Sequence, residues 1–181
     1  MFMNRPLSLT ALILIALVHA GCAAPVPSPS PEPALGAADL PRAGGCADAV
    51  LYAVNEAQDL AVVVTWPQAA TRAATAGEFE GERQLPADDV SVRLQVGRQL
   101  STLLCNDVLM EGAEVLAETE ALEGTARIRI VPQGNDPLFP TGQAHLVLTN
   151  VVFEFGSGES AERWRIDRLE WQDINVGWLP G

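Results

Sequence analysis

The sequence predicts an all-β fold, an antiparallel β-sandwich of about seven strands. Three observations predict it. Apolar residues recur at every second position in several runs, turn-forming residues punctuate those runs, and the connections between them are short. Alternation is the signature of a strand with one face buried, because successive side chains point to opposite faces of a sheet.

Ala49 to Val54 and Leu60 to Trp66 read as two early apolar strands, with Asn55 to Asp59 as the turn between them. Asp89 to Val96 is the clearest alternating run, with Val90, Val92, Leu94 and Val96 on one face and Ser91, Arg93 and Gln95 on the other. Thr125 to Val131 sets Ala126, Ile128 and Ile130 against Arg127 and Arg129. Gln143 to Phe155 is long, apolar and β-branched, and reads as two strands or as one with a bulge. Trp164 and Ile166 alternate with Arg163, Arg165 and Asp167, then Leu169 and Trp171 change parity, which predicts a bulge near Arg168. Gly134-Asn135-Asp136-Pro137 and Gly156-Ser157-Gly158 supply turn chemistry, and the latter is expected to be the hairpin tip joining the last two long strands.

Two stretches are ambiguous. Gln99 to Val108 carries Leu100, Leu103, Leu104 and Val108 at helical spacing, whereas Ala113 to Leu122 reads as a strand from its neighbours. The alternative fold is therefore α+β, with a short helix in 99–122. Trp66 lies between Cys46 and Cys105, as in the immunoglobulin pattern, but neither cysteine falls in the middle of an alternating strand. The expected architecture is Ig-like, with no homology implied.

The folded domain is expected over residues 46–181. Before it, Arg5 precedes a short apolar run from Leu7 to Val18, too short to span a bilayer comfortably and suited to an export signal. Small residues follow, ending in Ala20-Gly21-Cys22. These residues resemble the lipobox of the bacterial lipoprotein class, although His19 stands where that class usually carries leucine. The resemblance implies a signal peptide over 1–21, lipidation of Cys22, and a protein held at the extracytoplasmic face of a bacterial membrane. The rival is ordinary cleavage after Ala20.

Cysteine parity bears on the choice. The chain has three cysteines, and acylation of Cys22 leaves Cys46 and Cys105 as an even pair for a disulfide in an oxidising compartment. Residues 22–45 read as a Pro/Ala/Ser-rich tether. From Pro25 to Pro33 every second residue is proline, which removes backbone donors and disfavours helix and sheet.

Composition excludes some function classes. The formal net charge is -12, and all eleven basic side chains are arginine. Those arginines are scattered among carboxylates, so the clustered cations that hold a phosphate backbone are missing and no nucleic-acid partner is expected. No cofactor is implied and no metal site is expected. His145 is the only histidine of the mature chain, and it reads as a strand-face residue. Asp88-Asp89 and Asn135-Asp136 do not fit a regular calcium loop and read as turn residues. Gly156-Ser157-Gly158 lacks the strand–turn–helix setting of a nucleophile elbow.

The aromatic tail is the remaining candidate. Trp164 is expected in the core on the face shared with Ile166, and Trp178, past the last alternating run, is the candidate partner-binding tryptophan. The function expected from these features is that of a noncatalytic cell-envelope lipoprotein, anchored to the membrane through Cys22 and binding an envelope protein or polymer. The alternative is a small extracytoplasmic enzyme or ligand carrier whose site is assembled only in space.

Overall fold

Alternating stretches of the sequence become strands, and two sheets bury their apolar faces against each other. The computed structural model describes residues 32–106, 110–134 and 140–177. In chain order the elements are β1 (Arg42–Cys46), β2 (Val50–Val54), β3 (Leu60–Thr65), α1 (Ala69–Ala76), β4 (Phe79–Leu85), β5 (Ser91–Arg98), β6 (Glu114–Glu120), β7 (Glu123–Pro132), β8 (Thr141–Phe155) and β9 (Glu162–Gly177). One sheet has the order β1-β2-β3-β5-β6 and the other β4-β7-β8-β9, with every pairing antiparallel. The molecule is the β-sandwich that the sequence predicts, built from nine described strands rather than about seven.

The core lies between the sheets. Leu51, Val62, Val64, Val92 and Leu94 of the first sheet meet Ala126, Ile128, Ile130, Leu146 and Leu148 of the second. The expected turn after β2 is held by Asn55, whose Oδ1 accepts hydrogen bonds from the amides of Asp59 and Leu60 at 3.0 and 3.1 Å. The expected hairpin tip joins β8 to β9, whose paired residues run from Phe155 opposite Glu162 to Thr141 opposite Gly177.

Both long strands change face near their middles. In β9, Ile166 and Leu169 are buried while Asp167 and Arg168 between them are exposed. Opposite them β8 makes the same switch at Asn150, which has φ 51°, so the β8–β9 register is preserved there. The slip falls instead between β7 and β8, at Gly124. Gly124 has φ 126°, and a Cβ on it would stand 2.7 Å from the Val151 Cα, so glycine is required. A true bulge in the β8–β9 ladder comes later, where Gln172 and Asp173 together oppose His145.

The chain joins the fold earlier than its composition suggests. Leu35 and Leu40 are buried, and the backbone at Pro33 and Leu35 bonds to both sides of Arg165 in β9. Residues 33–45, expected in the tether, therefore pack with the domain. The glycines that look like linker are close-packing residues: a Cβ on Gly44 would stand 2.6 Å from the Tyr52 hydroxyl, and one on Gly45 would stand 2.7 Å from the Asn175 carbonyl oxygen. β4 is hidden in the sequence for a related reason. Its inward positions Phe79, Gly81, Arg83 and Leu85 include a glycine and an arginine, which breaks the apolar alternation.

Helix falls in a different place from the α+β alternative. The described residues of 99–122 contain a 3₁₀ turn at Leu100–Thr102 and the strand β6, not an α-helix. The α-helix is α1, an alanine-rich segment of high helix propensity, closed by Gly77 in the left-handed region. Its buried face is Ala69, Ala70 and Ala73, small enough to lie close against the sheet.

Trp66 and Trp171 are buried. Trp164 has the expected face but less depth, since it is only partly covered at the margin of the core. The expected signal segment, Cys22, the proline run through residue 31, Asn135 to Pro137 of one expected turn, and Trp178 lie outside the described residues.

Candidate functional site

The densest polar chemistry lies on the outer face of the four-stranded sheet. Alternation places Glu80 and Glu82 of β4, Arg127 and Arg129 of β7, His145 and Val147 of β8, and Glu170 of β9 on this one face. The ion pairs run diagonally. Arg127 is opposite Glu82 in register but pairs with Glu80, and Arg129 is opposite Glu80 but pairs with Glu78. Diagonal neighbours in a twisted pair are within reach of such long side chains. The Arg127 hydrogen bond and its charge lower the pKa of Glu80.

Glu170 is the centre of the second group. Its Oε1 lies 2.9 Å from the His145 Nε2 and accepts a hydrogen bond from the Gln172 amide at 2.9 Å, while Oε2 accepts one from Arg168 at 2.6 Å. The bulge at Gln172–Asp173 makes this possible by placing an extra residue opposite His145. Hydrogen bonds from Gln172, Arg168 and His145, in that order of effect, pull the Glu170 carboxyl down to about 2. Two open depressions flank His145. One, of about 310 Å³, is lined by Arg129, Val131, Gln143 and Asp173 among others, and the other, of about 250 Å³, by Glu80, Arg127 and Arg168.

A carboxylate hydrogen-bonded to an imidazole is the base-and-orienter arrangement of many hydrolases, but it needs a nucleophile within reach. The residues lining these depressions supply no hydroxyl or thiol. A carboxyl held near 2 is also far from the proton affinity that suits a general acid or base at neutral pH. The face offers an array of fixed donors and acceptors around His145 and Glu170.

A depressed carboxyl has a consequence for stability. Glu170 contributes stability above the ordinary carboxylate range, where both folded and unfolded chains are charged, and that contribution is lost as pH falls from about 4.5 toward about 2. Glu170→Gln should therefore flatten the stability profile in that acid window relative to the native chain. Thermal unfolding across the pH series measures it, and parallel profiles for the two proteins would contradict the assignment.

The other sequence candidates fall elsewhere. Cys46 and Cys105 are brought to disulfide distance, with Cα atoms 5.6 Å apart. Cys46 ends β1, and Cys105 ends a segment that crosses the outer face of the five-stranded sheet. There Leu100, with Leu103 and Leu104 beside it, covers Val54, Ala61 and Val63. Asp89 is taken up by Arg83, which reaches it through Nε at 2.9 Å and Nη2 at 2.7 Å. Among the described residues no group of three or more His, Cys, Asp or Glu is placed to hold a metal ion, and no helix is long and apolar enough to cross a membrane. Trp164 lines a third depression, of about 360 Å³, with Asn55, Asp59, Leu60, Val96 and Gly97.

The Glu170 group was not singled out in the sequence. Its only local signal is the pair Arg168 and Gln172 flanking Glu170 at alternate positions. Fold and face together define the molecule as an antiparallel β-sandwich with an ion-paired outer sheet. Comparison with family models, with curated proteins and with solved structures finds no match to the chain.

Proposed function

We propose that the chain is a lipid-anchored, extracytoplasmic binding module that acts through its surface rather than through a reaction. The observation that carries this reading is the cysteine pairing. With Cys46 and Cys105 side by side, Cys22 is the third cysteine of the chain and stands directly after Ala20-Gly21. A disulfide suits export to an oxidising compartment, and a lone cysteine at that position suits acylation. Support also comes from the shallow, charge-compensated face around Glu170, which is shaped for contact.

The early start of the packed domain limits its reach. Only residues 23–32 separate Cys22 from Pro33, and a chain of that length extends at most about 40 Å. A domain anchored at Cys22 therefore works close to the membrane surface. A ligand carrier is the second reading, favoured by the depression beside Trp164, whose volume is within the range of small-molecule sites.

Intact-mass analysis of the membrane fraction tests the proposal. The expected product begins at Cys22 and carries added acyl mass. A soluble mature chain beginning at Gly21 would overturn it.

A further inference from the structure

The edges of the two sheets are not equally protected. The edge at β1 abuts β9, where the Gly177 amide donates to the Ala47 carbonyl at 2.7 Å. The first half of β9 is bridged by Ala34. The edge strand β4 carries Glu80 and Glu82 exposed, the charged guard usual on strands that must stay single. The last edge is β6, which among the described residues pairs with β5 alone. Its far end is tied down, because the Leu122 amide donates to the Val152 carbonyl at 2.9 Å and the Thr119 hydroxyl to the Glu154 carbonyl at 2.8 Å. From Glu114 to Glu118 no other described strand borders it.

This open stretch exposes both of its faces. Every residue from Glu114 to Glu118 is exposed, including Val115 at 42% and Leu116 at 57%. Such a strand adds nothing to the core, yet it presents apolar side chains and an unpaired backbone edge, the combination that recruits another strand. A bulge shapes it further: Val96 is opposite Ala117 and Gly97 opposite Val115, so Leu116 is an extra residue. Bulges re-aim side chains and discourage indiscriminate edge-to-edge stacking.

Charge selects the occupant. Between Arg98 and Arg127 the chain has no basic side chain, but it has Asp107, Glu111, Glu114, Glu118, Glu120 and Glu123. Arg98 and Arg93 offset Glu114 and Glu118, while Glu111, Glu120 and Glu123 have no ion pair among the described residues. Two copies of β6 side by side would set these carboxylates against one another, which disfavours self-pairing. We propose that Glu114–Glu118 takes a basic, extended segment of a partner protein as an added strand. This rests on the reading of the chain as a binding module, whose membrane anchoring is tested separately by mass.

The test uses the full chain in detergent micelles and a labelled peptide of about seven alternating Arg and Val residues, long enough at ~3.4 Å per residue to cover the open stretch. Controls are the same peptide with Glu for Arg, and one of unchanged charge with Pro at its centre. Fluorescence anisotropy should show the Arg/Val peptide binding at least about tenfold more tightly than either control, since proline removes a ladder donor. Leu116→Arg should weaken that binding about tenfold while leaving thermal unfolding unchanged, as expected for an exposed position. Val115→Arg is a second variant with the same expected result. Equal binding of the proline control would mean general attraction to an acidic chain and would overturn the proposal. So would failure of the Arg/Val peptide to bind, unaltered binding by both variants, or a concentration-dependent dimer dissolved by Leu116→Arg, which would make a second copy the occupant.

Discussion

Trp66→Ala should lower the stability of the domain by about 3–5 kcal/mol, the range for deleting a large aromatic side chain from a packed core. Trp66 is 1% exposed, at the point where β3 gives way to the turn before α1. Its ring meets Phe79 edge-on, with centroids 6.0 Å apart, and the Arg83 guanidinium lies 5.6 Å from its centre. Gly81 lies over it so closely that a Cβ there would stand 2.6 Å from the indole. Removing the indole leaves a hole between β3 and β4 that these close contacts cannot easily collapse to fill. A fall in melting temperature on the order of 10 °C is expected, at about 2–4 °C per kcal/mol for a chain of this size. Trp164→Ala should cost less, about 1–2 kcal/mol, because only part of that ring is covered. Chemical denaturation of the two variants measures the difference, and a larger loss at Trp164 would refute the packing described for both.

Replacing Cys46 and Cys105 by serine should remove about 2–4 kcal/mol, as expected when a long loop is no longer closed in the unfolded chain. The two residues are 59 apart in sequence. The loss should have a local part. The pair fastens the segment that carries Leu100 across Val54, Ala61 and Val63, and at its other end that segment is held by the Leu100 amide on the Gln58 carbonyl at 2.9 Å. Amide exchange over residues 99–106 should therefore quicken before that of β7 and β8. Nonreducing peptide mapping checks the bond itself. Two free thiols in protein purified without reductant would refute it, and a stability change below about 0.5 kcal/mol would place the pair outside the energetics of the fold.

Most of the sandwich was legible where one face of a strand is made of apolar residues. The β5 run and the β7 run alternate without interruption, so period two alone identifies them. The Asn55 turn and the Gly156 hairpin were legible because turn chemistry is local. The parity change near Arg168 was legible as well, but its meaning was not, since the partner strand switches face at Asn150 and leaves that ladder in register. The candidate site was much less legible. His145 was readable as a strand-face residue, whereas Glu170 becomes a centre of hydrogen bonding only when β8 lies beside β9 and the bulge places Gln172 over it.

By itself the sequence determined the class of fold, the strands with an apolar face, and the two cysteines left to pair once Cys22 is set aside. These follow from local periodicity, local turn preference and counting, which need no knowledge of neighbours in space. Tertiary structure alone decided that Gly44 and Gly45 belong to a strand, that β4 exists, that the chain packs from Pro33 onward, and that β6 has an open edge. In each case the residue is specified by what it meets across the fold. Gly45 leaves no room for a Cβ beside the Asn175 carbonyl, arginine is tolerated inward over an indole, and Leu116 is exposed because no described strand lies beyond it.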